Sequence, residues 1–507
     1  MVDLVAPPPA AVARIRRIEL SDFRAFPAVQ PGVFDLGQHG GNLLVFGENG
    51  AGKSSIYRGL RGLFSLSPPE IIGLHNVFTD PAQPSVRLTM TDNSVLAWTA
   101  AGHPTIEVRD AARRAAFLSH TRLTEMNRGA TADVPPNLFE VAVNRLLADF
   151  EATLEGGGRR SLGELWQELE TAFAARVTTA KGVRRPQNYI RDVEAACERF
   201  NEGMRQALDA LEAHAKPLLR RLLDVLSGDG LELVGLTFPR VRYDEEKRTL
   251  ENQILTPVVK FRTHLPPAPQ NFLNEARLSA LAIAIYLAAR LSCVPPKGAG
   301  GLKLLVMDDL LISLDSSHRR PVLDAIAELF EDWQIILLTH DRYWFELARE
   351  QLAKDRWSAV EVYERLDGDG LLVPLVRPVA EDVVVATLNQ AAAFLADHHP
   401  AAAANYARSA CELALRKFCI KQRVVFAYFE ENKRPDLNAL LDAATKHAAQ
   451  AARDAGRLKA LTALEHHKRY VLNPLSHDPT RPIVPADVEA AIGAVREVVK
   501  ACGKNYA

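Results

Sequence analysis

Short, nearly unbroken apolar runs recur along this chain. Asn42-Leu-Leu-Val-Phe46, Lys303 to Met307 and Gln334 to Leu338 have the length and composition of strands buried in a sheet. Ahead of the first, Arg14-Ile-Arg-Arg-Ile-Glu-Leu20 reads as another strand. Between residues 86 and 108 the pattern turns to alternation: Val86, Leu88 and Met90, then Val95, Ala97 and Thr99. With Asp92-Asn93 as the turn, this predicts an antiparallel hairpin. Leu231 to Val241 and Gln253 to Phe261 are further strands, followed by a proline-rich turn at Pro266 to Pro269. Residues 271 to 292 and 317 to 331 read as helices.

From about 135 to 227 the periodicity is helical, with Leu165, Leu169 and Phe173 at spacing four. Gly156 to Gly158, Pro186 and Pro217 are expected to interrupt it, and no heptad persists as a coiled coil requires. A compact helical insert is predicted rather than a long arm. The proline-flanked stretch Val373 to Pro378 reads as a linker. Residues 383 to 505 are alanine-rich, and four or five helices are expected there. The predicted organisation is residues 1–134 and 228–378 as two parts of one α/β unit, 135–227 as its insert, and 379–507 as a helical C-terminal domain.

Length agrees, because 507 residues exceed one ordinary core. Hydrophobic content of 48% and charged content of 24% exclude a largely disordered chain. A net charge of -1 supplies no global field for nucleic acid, so any such binding needs a local patch. The five cysteines are scattered without CxxC spacing, which suggests neither a disulfide framework nor a zinc site and fits a reducing, cytoplasmic compartment. The first twenty residues lack the apolar core of a secretory signal. Leu278 to Leu291 is too short to cross a bilayer and is interrupted by Ser279 and Arg290, so no membrane partner is expected.

Chemistry enters at Gly47-Glu-Asn-Gly-Ala-Gly-Lys-Ser54, which matches GxxxxGK[ST] directly after a strand. Glycines let the main chain curl so that successive N–H groups face phosphates, and the helix that follows adds its positive end. Asn49, Gly50, Ala51, Gly52, Lys53, Ser54 and Ser55 are the candidate nucleotide residues, with Lys53 reaching the β and γ phosphates. Leu304-Leu-Val-Met-Asp-Asp309 is a strand ending in two carboxylates, the Walker B arrangement. Ser54 and Asp308 are the candidate Mg²⁺ ligands, and Asp309 stands where a base polarises the attacking water.

In this order the chain resembles the ABC-type ATPases of the RecF/SMC class, over roughly residues 13 to 375. Ile15 to Phe26 looks like the opening strand and its FR turn. Asn274-Glu-Ala-Arg277, within Asn271 to Ser279, is similar to the signature segment. Ser313-Leu-Asp315 resembles the D-loop, and Leu337 to Asp341 the strand end with the switch histidine, His340. The resemblance implies an α/β ABC-type head, a P-loop NTPase sheet plus an antiparallel β lobe, with a helical insert and an all-α C-terminal domain. It implies ATP and Mg²⁺, and a homodimer or higher even oligomer with ATP sandwiched between heads. Asn274, Glu275 and Arg277 of one copy would then cap the γ-phosphate of the other, with Asp315 tying the sites together. Where the class carries a glutamate this chain has Asp309, which implies slow turnover and a switch rather than a motor. The class's Q-loop glutamine is not evident, and Phe117-Leu-Ser-His120 takes its place.

The C-terminal part resembles HEPN-type helical domains, in particular the RNase end of the anticodon nucleases PrrC and RloC, through Arg408, Glu412 and His477. That resemblance implies metal-free RNA cleavage, on tRNA or another nucleic acid, in phage defence. The alternative for Arg408 and Glu412 is an ordinary i, i+4 ion pair, and Asn-Pro-Leu-Ser-His477 also reads as a helix stop. Seven residues separate Arg469 from His477, more than the HEPN spacing. From residue 380 onward, 17 Lys and Arg face 14 Asp and Glu, so only a local patch such as Arg416, Lys417, Lys421 and Arg423 could meet RNA. Two further readings stay open: a sensor like the PtuA subunit of Septu-type systems that holds a separate nuclease subunit, and a RecF-like DNA-repair ATPase.

Overall fold

The computed structural model describes residues 13–127, 134–175, 177–179, 182–184, 188–223, 230–294, 301–310, 314, 316–353, 355–366, 372–379, 383–424, 436–450, 455–477, 482 and 484–503. In chain order they form β1 (Ile15–Ser21), β2 (Gly32–Asp35), β3 (Asn42–Gly47), α1 (Lys53–Leu63), β4 (Ser85–Met90), β5 (Val95–Thr99), α2 (Arg109–Arg113), β6 (Ala115–Ser119) and α3 (His120–Met126). Next come α4 (Phe139–Val141), a π-turn (Ala142–Leu146), β7 (Glu151–Thr153), β8 (Arg159–Ser161), α5 (Leu162–Ala174), β9 (Val177–Thr179), β10 (Gly182–Arg184) and α6 (Tyr189–Leu223). Then follow β11 (Leu231–Thr237), β12 (Arg242–Asp244), β13 (Thr249–Glu251), β14 (Thr256–Phe261), α7 (Pro269–Phe272) and α8 (Glu275–Cys293). The unit closes with β15 (Leu304–Asp308), α9 (Ser316–Leu329), β16 (Gln334–Thr339), α10 (Arg342–Gln351), β17 (Trp357–Leu366) and β18 (Leu372–Pro378).

The large sheet runs β18-β17-β3-β16-β15-β6, parallel throughout except for the antiparallel edge strand β18. Its central strands are buried on both faces, which is why they read as unbroken apolar runs. In β15, Leu305 and Met307 point into one core while Leu304 and Val306 point into the other. The second core lies against an antiparallel lobe, β2-β1-β4-β5, and the first is shared with α6 and α8. By length and composition α8 is apolar enough to cross a membrane, but 72% of its apolar window is buried inside this protein.

The chain divides into a unit Met1–Val379 and a unit Ala380–Ala507. Among the described residues the second is helical: α11 (Val383–Ala396), α12 (Pro400–Lys421), α13 (Leu437–Gln450), α14 (Ala455–His467), a π-turn (Lys468–Leu472), α15 (Asn473–His477) and α16 (Pro485–Gly503). Its core is small-residue packing around α12, through Ala403, Ala407, Cys411 and Leu415.

Three sequence expectations are corrected. Pro217 does not break a helix: α6 runs through it for 35 residues, about 52 Å. Buried Ala215, Leu218 and Leu219 hold the helix across that position, so packing offsets the lost backbone hydrogen bond. The region 135–227 also carries short hairpins, β7–β8 around Gly156 to Gly158 and β9–β10. The stretch Val373 to Pro378 is not a linker but most of β18, paired with β17. Its prolines are tolerated because an edge strand has a row of N–H groups that nothing needs. β17 itself, Trp357–Leu366, was not anticipated.

Lobe and sheet are tied by a buried polar clasp. Gln334, 1% exposed at the start of β16, accepts from Ile15 N at 2.8 Å and donates to the carbonyls of Ile15, Gly40 and Gly41. Asn42 Oδ1 accepts from Ile335 N at 2.9 Å alongside it. Gln334→Ala strands these main-chain groups away from water and should lower unfolding free energy by roughly 2–4 kcal/mol. The urea midpoint checks this; a midpoint equal to that of the parent chain would refute the clasp.

Candidate nucleotide site

β3 leads into a loop whose shape only glycine allows at two points. Gly50 has φ 95° and Gly52, the residue before α1, has φ 101°. At the first position of α1, Lys53 is almost wholly buried and turns back over the loop, with Nζ donating to the carbonyls of Gly47 at 2.6 Å and Glu48 at 2.9 Å. Burial lowers its pKa, opposed by the carboxylates of Asp309, Asp308 and Glu48.

In the sheet, β16 lies between β3 and β15, so the loops after these three strands are neighbours. Asp308 closes β15 with its Oδ1 buried and without a hydrogen-bond partner. Its carboxyl is pushed up to about 6, first by burial and then by the charge of Asp309, with the Ser54 hydroxyl and Lys53 pulling the other way. A buried carboxylate oxygen with no partner, beside a serine hydroxyl, is an oxygen donor set that suits a hard divalent cation. Ser54 and Asp308 therefore fit Mg²⁺.

Asp309 follows in a left-handed conformation, φ 52°, rare for a residue with a side chain. Two contacts to the next strand hold it there. Its N–H donates to Leu338 O at 3.0 Å, and its Oδ1 accepts from His340 N at 2.9 Å. His340 Nδ1 also lies 2.9 Å from that oxygen, but not in line for a hydrogen bond. Beyond it Asp341 caps α10 through Trp344 N and pairs with Arg319 of α9, which fixes the histidine's loop.

Of these groups Lys53, Ser54 and Asp309 border an open cleft of about 480 Å³, lined also by Asn49, Gly50, Gly52 and Ser55, while Asp308 and His340 are not part of its lining. Ala51 is buried beneath the loop. The same cleft has a second wall that motif reading left without a role, made of Arg24, Arg58, His75 and Val77. The FR turn is pinned for this. Arg24 N donates to Leu74 O at 2.9 Å, and Asn76 Nδ2 donates to Arg24 O at 2.7 Å. Buried Asp22 accepts from the N–H groups of Asn76 and Gln83. Burial and then the neighbouring Arg58 depress the Arg24 guanidinium's pKa. The signal for Arg24 was present in the FR turn, and its role needed the fold.

Other candidates fall elsewhere. Asn274 caps α8, its Oδ1 accepting from Arg277 N at 3.0 Å, and neither it, Glu275 nor Arg277 lines the cleft of its own chain. Arg277 instead stacks its guanidinium on Phe261, 4.9 Å from the ring centre. Ser119 pairs in register with Asp308, so Ser119-His120 stand where the glutamine was sought. Asp315 lies outside the described residues. In the second unit, Arg408 Nε donates to Glu412 Oε1 at 3.0 Å on α12, while the His477 side chain is outside the description. Among the described residues no cluster of His, Cys, Asp and Glu could hold a metal by itself.

No protein-family model matches the chain. No curated protein matches it either. Among solved structures it is similar to SMC heads. One, bound to the C-winged helix domain of ScpA, is 15% identical with a TM-score of 0.38, covering 72% of this chain and 98% of that one. A head from Pyrococcus furiosus with an extended coiled coil, bound to the C-terminal domain of ScpA, is 14% identical with a TM-score of 0.42, covering 75% and 99%. A head with a coiled coil and joint from Pyrococcus yayanosii is 14% identical with a TM-score of 0.40, again covering 75% and 99%. At these scores the likeness carries no weight for chemistry, which rests on the loops themselves.

The raised carboxyl of Asp308 has a measurable consequence. Its folded pKa, about 6, exceeds the ordinary 3.8, so the folded state holds the proton more tightly. That contribution to stability is present at low pH and is lost as pH rises through about 6. Without magnesium or nucleotide, Asp308→Asn should gain on the order of 2 kcal/mol over the parent at about pH 7.5 and almost nothing at about pH 4. Paired melting curves at the two pH values test this, and a variant less stable at both would contradict it.

Proposed function

We propose that this chain is a magnesium-dependent ATPase of the ABC type that works as a nucleotide-controlled switch. The observation that carries the reading is the convergence of Lys53, Ser54, Asp308, Asp309 and His340 on one end of three adjacent parallel strands. The curled loop offers N–H groups to the phosphates, and Lys53, Arg24 and Arg58 add positive charge around the triphosphate. Ser54 and Asp308 would hold magnesium, which neutralises developing phosphate charge when bound. Asp309 takes a proton from water as its oxygen attacks the γ-phosphorus, and the bond to the β-phosphate oxygen breaks to give ADP and phosphate. His340 holds Asp309 through its N–H, so movement of one is felt by the other. A second copy would supply Asn274 and its helix end to the open side of the cleft, giving a dimer closed by ATP.

For the output we assign RNA cleavage by the second unit, with Arg408 stabilising phosphorane charge, Glu412 orienting it and His477 moving a proton. Support comes from α15, which carries His477 and packs against α12, which carries the other two. The motif resemblance to defence ATPases supports a role against phage. Ile420 and Tyr470, 71% and 53% exposed, favour a second reading in which this unit docks a separately encoded nuclease.

Phosphate release from Mg-ATP tests the first part. Lys53→Ala should abolish nucleotide binding, and Arg24→Ala should weaken it about tenfold. Asp309→Asn should keep binding while turnover falls about a hundredfold or more. Phosphate release by the parent no faster than by Asp309→Asn would defeat the ATPase reading. Gels of tRNA from cells expressing the parent, Lys53→Ala and His477→Ala test the output. Intact RNA in all three, with a copurifying partner, would replace the RNase by the docking reading.

A further inference from the structure

We propose that the second unit binds single-stranded RNA on the outer face of the helix that carries its π-turn, with Tyr470 and His466 taking an unpaired base and Arg469 and Lys459 taking phosphates. The proposal rests on the reading of this unit as one that acts on RNA, and adds where the strand lies. α14, the π-turn Lys468–Leu472 and α15 follow one another without a break from Ala455 to His477. Pro474 has no N–H for the Tyr470 carbonyl four residues before it, and the Asn473 N–H instead reaches back five, to Lys468 O. In this widened turn Lys468, Val471 and Leu472 are buried, while Arg469 and Tyr470 are exposed.

These groups are free to take a ligand. Tyr470 is 53% exposed. The His466 ring, also exposed, lies 4.8 Å from it with the two planes tilted by 47°. The Arg469 guanidinium is 5.6 Å from the centre of the Tyr470 ring. Among the described residues no carboxylate pairs with Arg469 or with Lys459. The acidic residue of this stretch, Glu465, is engaged by Lys468 at 2.7 Å.

The ligand class follows from that set. Every base has a flat π-face and every nucleotide a negative phosphate, so adjacent exposed rings with unpaired cations beside them match a strand whose bases are open. Lys459 is exposed on the same face, seven residues before His466 and so two helical turns away. From Lys459 to Tyr470 the helix rises about 16 Å, which suits a short stretch of strand rather than a single nucleotide. A duplex hides its base faces, so this surface selects single strands. The chain's net charge of -1 gives no general attraction, and binding depends on the patch itself.

The test uses the full chain carrying His477→Ala, so that a bound strand is not consumed. Fluorescence anisotropy with a short labelled oligouridylate should show binding, which Tyr470→Ala weakens about tenfold and Tyr470→Phe preserves. Arg469→Ala together with Lys459→Ala should weaken binding and make it less dependent on salt. All three side chains are exposed, so the melting curve should stay in place. An RNA duplex should bind at least about tenfold more weakly. The site is overturned by no oligouridylate binding or by affinity indifferent to Tyr470. A duplex that binds as tightly, or a DNA strand that binds better than the RNA, overturns it as well. Transfer RNA cut in cells by the parent but not by His477→Ala, with affinity indifferent to Tyr470, would remove this site and keep the RNase. Intact transfer RNA with Tyr470-dependent binding would do the reverse.

Discussion

Three parallel strands held side by side, β3, β16 and β15, are the constraint from which the site follows. Parallel pairing puts the strand ends at one edge, and register fixes which residues meet there: Phe46 opposite Thr339, and Leu338 opposite Asp308. The loop after β3 must then turn at once into α1, which Gly50 and Gly52 permit through positive φ. The turn after β15 is forced into a left-handed residue, Asp309, pinned by Leu338 O and His340 N. Were the three strands to separate, Lys53, Ser54, Asp308, Asp309 and His340 would no longer stand at one edge.

The same arrangement is electrostatically tense. Burial at the end of the strand, and after it the charge of neighbouring Asp309, raise the cost of ionising Asp308, whose carboxyl is pushed up to about 6. Lys53 is the counterpart, a buried cation whose own charge is disfavoured by burial and rescued by those carboxylates. Such a site is less stable than an apolar one would be, and the two cores on either face of the sheet offset the difference.

Around this centre the remaining elements act as support. α8 is apolar on every side because it is enclosed by the first core, and α6 lies along it for much of its length. The lobe does more than cover the sheet: through Asp22, Asn76 and the Leu74 carbonyl it sets Arg24 at the cleft. Gln334 and Asn42 keep the lobe in register with the strands.

Local patterns were enough for the features with local causes. Glycine spacing, a serine after lysine and a run ending in Asp308-Asp309 marked out the loop after β3 and the strand end that the fold places on either side of β16. Doubly buried strands betray themselves as apolar runs because both faces must be hydrophobic. Tertiary structure decided what depends on neighbours distant in sequence. Val373 to Pro378 became an edge strand only because β17 was there to pair with it, and Pro217 stayed helical only because the core packs around it. Arg24 gained a place in the cleft through contacts some fifty residues away, and Arg290 became a buried donor through a π-turn 145 residues earlier. A sequence records the chemistry each residue can perform; which residues stand together is set by packing and hydrogen bonds between segments that have no pattern in common.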